Sequence, residues 1–239
     1  MTKDLINIKG ILLDLDDTIT DSRSSWKNGF KKTILSVDSK QQINNIDLES
    51  IYLEYTKLVA QKHKDSASNE WNDSLAKDGL EEIIKKYLSI EIDPVITWNY
   101  FSQSWKDTIQ LFPESLEALI KLSKHCKLGM VTNGLSEHQR FKIKKFQLEK
   151  YFEFVLISEE LGVQKPDKII FQIAIQKMNI PAEKLIHVGD NPNHDVIGAN
   201  NAKIFSCWLK RKNNWYQEVK DIKPNYIISN LLELKSIMN

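Results

Sequence analysis

Six short, almost unbroken apolar runs, separated by stretches of helical period, restrict the fold of this chain more than any other feature. They are Ile11 to Leu13, Leu128 to Val131, Phe154 to Ile157, Leu185 to Val188, Ile204 to Leu209 and Tyr226 to Ile228. A strand with one wet face alternates apolar and polar residues, whereas a strand covered on both faces reads as a continuous apolar run. The intervening "FPESLEALIKL" sets Leu116, Leu119 and Ile120 on one expected helix face. "KPDKIIFQIAIQKM" opens with Pro166 at an expected first helical position and repeats Ile169, Ile170, Ile173 and Ala174. From about residue 109 onward strand and helix alternate, which predicts an α/β fold: a doubly wound parallel sheet, Rossmann-like, wrapped by helices.

Residues 20–108 read differently. Trp26, Phe30 and Ile34 recur at helical spacing, as do Leu80, Ile83, Ile84, Tyr87 and Leu88, and again Trp98, Phe101 and Trp105. No strand alternation occurs there. The expected division is therefore a core from 1–19 and 109–239, with a small α-helical domain, 20–108, inserted after the first strand. Trp26, Trp71, Trp98 and Trp105 fall in the insertion and are expected to pack its core.

Composition narrows the partners. A chain that is 41% hydrophobic and 27% charged is ordinary for a globular protein, and a formal net charge of +1 gives no electrostatic reason to expect a nucleic acid polymer or a membrane. The basic run "KIKK" at 142–145 reads as the wet face of a helix that turns Phe141 and Phe146 inward. Cys126 and Cys207 lack metal-ligand spacing and read as buried thiols. Charges at Asp4 and Lys9 interrupt the N-terminal segment, so no signal peptide or membrane span is expected, and the expected location is cytoplasmic.

In open α/β sheets ligands bind beyond the carboxyl ends of the strands, so the residues just after each apolar run are the candidates for chemistry. The first run leads to Asp14, Asp16, Asp17 and Thr18; the second to Thr132, Asn133 and Gly134; the third to Lys165; the fourth to Asp190 and Asp195. Asp-x-Asp-x-Thr alone is weak, since strand ends favour Asp and Thr as turn residues, and Asp190 or Asp195 would also suit a helix N-terminus. Together, carboxylates crowded into one crevice would repel unless a cation compensated. Oxygen-only ligands suit a hard ion, which implies Mg2+. Lys165, the Thr132 hydroxyl and the Asn133 amide would supply what a phosphoryl group needs. His194 is expected to be a surface group, or one standing just behind the ligands, rather than a metal ligand.

These residues resemble the haloacid dehalogenase superfamily, most of whose members are phosphatases. The resemblance is carried by "DLDDT" (14–18), "VTNG" (131–134), "GVQKPDKIIF" (162–171) and "VGDNPNHDVIGANNA" (188–202), in the family's order. It implies that Asp14 is the nucleophile that becomes an aspartyl-phosphate and that Asp16 protonates the leaving oxygen, then deprotonates water. It also implies that Thr132 and Asn133 orient the phosphoryl oxygens, and that Lys165 holds Asp14. Asp190 would ligate Mg2+ together with an Asp14 side-chain oxygen and the Asp16 main-chain carbonyl, with Asp195 acting just outside that shell or through water. The insertion is similar to the family's helical cap. Glu114 and Lys203 stand where the family's commonest pattern has glycine. "TNG", "GVQKPD" and "FSCWLKR" are most similar to the subgroup of 5′-nucleotidases and sugar-acid phosphatases.

The expected activity is thus Mg2+-dependent hydrolysis of a small phosphorylated metabolite, such as a nucleoside monophosphate or sugar phosphate, by a monomer or weak homo-oligomer. The alternatives are a 2-haloacid dehalogenase or a phosphosugar mutase on the same scaffold, or a catalytically silent module that binds phosphometabolites.

Overall fold

The first strand, β1 (Gly10–Leu13), is buried along its whole length. The structure is a computed structural model that describes residues 8–38, 47–66, 72–211 and 223–238. After β1 come α1 (Ser22–Val37), α2 (Leu48–Asp65), α3 (Asp73–Leu88) and α4 (Pro94–Thr108). Then follow α5 (Ser115–Leu122), β2 (Lys127–Thr132), α6 (Ser136–Lys145), β3 (Phe154–Ile157), α7 (Ser158–Leu161) and α8 (Lys168–Met178). The last elements are β4 (Leu185–Gly189), α9 (Ile197–Asn201), β5 (Phe205–Leu209), β6 (Tyr226–Ile228) and α10 (Leu234–Met238).

The six strands form one sheet in the order β3-β2-β1-β4-β5-β6, parallel at every pairing. Leu13 is level with Met130 of β2 and with Val188 of β4, so the residues that follow these three strands emerge at one edge. The chain winds outward from β1 through β2 and β3, then returns to β4 on the other side. The switch between β1 and β4 is where such sheets leave a crevice for a ligand.

Why the strands read as unbroken apolar runs is visible in β1. Ile11 and Leu13 enter one core cluster, with Leu119 of α5 and Ile143 of α6. Leu12 enters another, with Ile170 and Phe171 of α8 and Ala199 of α9. Successive side chains point to opposite faces, and both faces are covered by helices.

Two helix faces differ from the expectation. In α5 the buried residues are Ser115, Ala118, Leu119 and Leu122, while Leu116 and Ile120 are exposed. In α8 they are Ile170, Phe171, Ala174 and Met178, while Ile169 is exposed. Both segments carry apolar residues at several phases of the helical turn, and the sheet covers only one. Pro166 also stands ahead of its helix: Asp167 is the N-cap, its carboxylate accepting from the Ile169 N–H at 2.9 Å, and helical residues begin at Lys168.

The chain forms two compact units, Met1–Asp21 with Leu111–Asn239, and Ser22–Gln110. Thr20 and Asp21 stay with the sheet because Thr20 bridges to both Asp16 and Leu111, and the Phe112 N–H donates to the Ile19 carbonyl. In the helical unit Trp26 meets Phe101 edge-on, Phe30 stacks on Tyr55, and Phe30, Phe101 and Trp105 are buried. Trp71 lies outside the described residues. Cys207 is buried and Cys126 half-buried, both as free thiols. Lys203 has φ near +60°, the left-handed region in which glycine is the ordinary choice, whereas Glu114 has φ near −87° and makes an ion pair with Arg211 at 2.6 Å. Among the described residues no helix is long and apolar enough to cross a membrane.

Candidate active site

Asp14 directly follows β1, where its N–H donates to the Val188 carbonyl of β4 at 3.0 Å. Asp190 directly follows β4, and Asp195 lies in the π-helical turn Pro192–Val196 that leads into α9. All three carboxylates are buried, and each offers an oxygen within 4.8 Å of the others. Gly189 makes this possible. A Cβ there would stand 2.1 Å from the Asp195 carboxyl carbon, so only glycine admits that carboxylate against the end of β4.

Lys165, on the loop between α7 and α8, is 2% exposed. Its ammonium lies 2.8 Å from Asp14 Oδ1 and 2.6 Å from Asp195 Oδ1. The loop is clamped by Asn133, which follows β2: Asn133 Oδ1 accepts from the Lys165 N–H and Asn133 Nδ2 donates to the Lys165 carbonyl, both at 2.9 Å. With its carboxamide so committed, Asn133 has its main-chain N–H to offer a phosphoryl oxygen. Thr132, the last residue of β2, is fully buried.

Asp195 is the hub of this half of the site. Besides Lys165, it accepts from His187 Nε2 at 2.9 Å and from the Asn191 N–H at 3.0 Å. Burial is the largest influence and resists its ionisation, but Lys165 and His187 together outweigh it and hold the carboxyl below the ordinary range. Burial also opposes the charge on Lys165, and Asp14 and Asp195 reverse that, keeping the ammonium protonated. Burial pushes His187 down, so its imidazole is neutral and donates through Nε2–H. For Asp14 burial prevails over the pull of Lys165 and raises the carboxyl to about 7. Three buried carboxylates thus face one lysine and a neutral imidazole, a shortage of positive charge that a hard divalent cation fits.

Asp16 sits apart, its side chain about one-third exposed. Lys142 Nζ donates to its Oδ1, and Gln139 Nε2 donates to its Oδ2 at 2.9 Å. Gln139 Nε2 is also 2.9 Å from Thr132 Oγ1. This corrects the reading of "KIKK" as a wet face. The buried residues of α6 are Gln139, Lys142 and Ile143, while Phe141 and Phe146 are only half-buried. Gln139, Lys142 and His187 were missed from sequence. For the first two a signal existed: they share the i, i+3, i+4 face of α6 with Ile143. His187, inside an apolar strand, carried only the mark of a polar residue in a core position. His194 is exposed and hydrogen-bonds Asn191.

A family model for haloacid dehalogenase-like hydrolases matches residues 8–203. Pyrimidine 5'-nucleotidase YjjG of Escherichia coli (strain K12) is 32% identical over 127 residues, 53% of this chain and 56% of that one. A glyceraldehyde 3-phosphate phosphatase of Methanocaldococcus jannaschii is 28% identical over 233 residues, 97% of each chain. Among solved structures, magnesium-bound YfnB from Bacillus subtilis shares the fold with a TM-score of 0.78 at 23% identity, covering 98% of this chain and 99% of that one.

Proposed function

The chain belongs to the haloacid dehalogenase-like hydrolases, and on that footing we propose that it is a magnesium-dependent phosphatase of small phosphate monoesters that works through an aspartyl-phosphate. The observation that carries this reading is the Asp14, Asp190 and Asp195 cluster opposed by a single buried lysine. Relatives named for nucleotide and triose-phosphate hydrolysis support the substrate class.

Asp14 is the nucleophile: its oxygen forms a bond to phosphorus as the bond from phosphorus to the leaving oxygen breaks, and Asp16 gives that oxygen a proton. Asp16 then takes a proton from the water that releases phosphate and restores Asp14. Thr132 Oγ–H and the Asn133 N–H orient the phosphoryl oxygens, and Lys165 holds Asp14 in place. Asp14 and Asp190, with the main-chain carbonyl of Asp16, would hold Mg2+, which when bound offsets the charge of the phosphoryl group and the carboxylates. Asp195, engaged by Lys165, His187 and Asn191, acts from outside that set. The Ser22–Gln110 unit is assigned the role of cap, the part that selects the leaving group. Asp16 favours phosphate over halide as the group acted on, because a halide leaves without a proton.

The test is release of inorganic phosphate from p-nitrophenyl phosphate with magnesium present. Asp14→Asn is expected to lower turnover by at least about 10^3-fold. Full activity in that variant would end the aspartyl-phosphate mechanism, and chloride release from a 2-chloro acid would point to the dehalogenase alternative instead.

A further inference from the structure

Helices that pack on a sheet turn an apolar face inward, but the buried face of α6 is mostly polar. Of its three buried residues two are polar, and both bond the same carboxylate, Asp16, from opposite sides. Burying a lysine on a helix that could expose it costs several kcal/mol unless its partner compensates, and the Lys142 side chain is only 6% exposed. Gln139 is costlier than an apolar residue in another way: its Oε1 is buried with no hydrogen-bond partner, so its Nε2 contacts alone set its orientation. That nitrogen reaches Asp16 Oδ2, Thr132 Oγ1 and the Asn133 carbonyl, three acceptors for two hydrogens. The chain also clears space for it: a Cβ at Gly134, where φ is +136°, would lie 2.9 Å from Gln139 Nε2.

We infer that Lys142 and Gln139 are positioning residues for Asp16, pinning one carboxylate oxygen each and tying it through Gln139 to Thr132. Anchors on both oxygens remove rotation of the carboxylate, and the Thr20 hydroxyl, 3.4 Å from Oδ1, adds a contact to the oxygen that Lys142 holds. The inference rests on the phosphatase reading above, in which the proton on Asp16 passes to the leaving oxygen as the Asp14 oxygen bonds to phosphorus.

A positioning role for an acid has a signature that general loss of structure lacks: it matters most where the leaving oxygen is hardest to expel. Wild type, Lys142→Met and Lys142→Arg are compared on phenyl phosphate and p-nitrophenyl phosphate, two substrates of similar shape and very different leaving groups. Lys142→Met is expected to lose about 10^2-fold in kcat/KM on phenyl phosphate and less than about 10-fold on p-nitrophenyl phosphate, with KM little changed. Lys142→Arg is expected to restore most of the loss. Equal losses on both substrates, or none, would overturn the inference. If Lys142→Met does not fold, Gln139→Leu, which removes no charge, carries the same comparison. A wild type silent on both esters would sink the phosphatase reading with it, whereas an active wild type with an indifferent Lys142→Met would sink this inference alone.

Discussion

Lys165 carries the charge balance of the site. One ammonium, 2% exposed, serves two buried carboxylates within 2.8 Å, and neither Asp14 nor Asp195 has another cationic side chain so close among the described residues. Removing one member of a buried ion pair leaves its partners charged in a low-dielectric setting, which is worse than never having had the pair. Lys165→Met is therefore expected to lower stability by about 3–5 kcal/mol, read from urea unfolding followed by circular dichroism. Asp14→Asn should behave in the opposite sense. It removes negative charge from a crevice that has too much, so an inactive variant with wild-type or higher stability is the expected result. A Lys165→Met protein as stable as wild type would mean that these carboxylates bind protons rather than share the lysine.

At the scale of elements, sheet coverage rather than helical period decides which residues count. α5 illustrates this: Leu119 is fully buried in the cluster with Leu13 and Met130, while Leu116, one turn away, is 42% exposed. Leu119→Ala is expected to cost about 2–5 kcal/mol and Leu116→Ala less than about 1 kcal/mol in the same unfolding experiment. Similar losses at the two positions would place α5 in a different rotation on the sheet. The strands leave no such freedom, because a run covered on both faces is apolar in either rotation. That is why all six strands were legible from sequence to within a residue or two at each end, while the inward faces of α5 and α8 were legible only in part, Leu119, Ile170 and Ala174 being buried and Leu116, Ile120 and Ile169 exposed, and that of α6 was not.

At the scale of the whole molecule, each of the two units has its own core, and the carboxylate cluster belongs entirely to the unit Met1–Asp21 with Leu111–Asn239. Mg2+ bound there would stabilise the folded state by mass action, about 2.7 kcal/mol at a hundredfold excess over Kd. A rise in melting temperature with added magnesium, reversed by chelation and absent in Asp190→Asn, is the expected outcome. It is independent of turnover. An unchanged melting temperature across millimolar magnesium in wild type would remove the metal from the proposal.

The sequence by itself determined where the strands lie and which residues follow them. Both are properties of consecutive positions: apolar continuity marks the strand, and the next polar residues are its end. Parallel pairing in one sheet then brought Asp14, Lys165, Asp190 and Asp195 together. Only the tertiary structure decided what surrounds Asp16. Gln139 and Lys142 lie 123 and 126 positions further along the chain, on α6, whose Ile143 shares a core cluster with Ile11 and Leu13 of β1. No local period records a contact of that separation, and the charge that made Lys142 look like a surface residue is what pairs it with the carboxylate of Asp16.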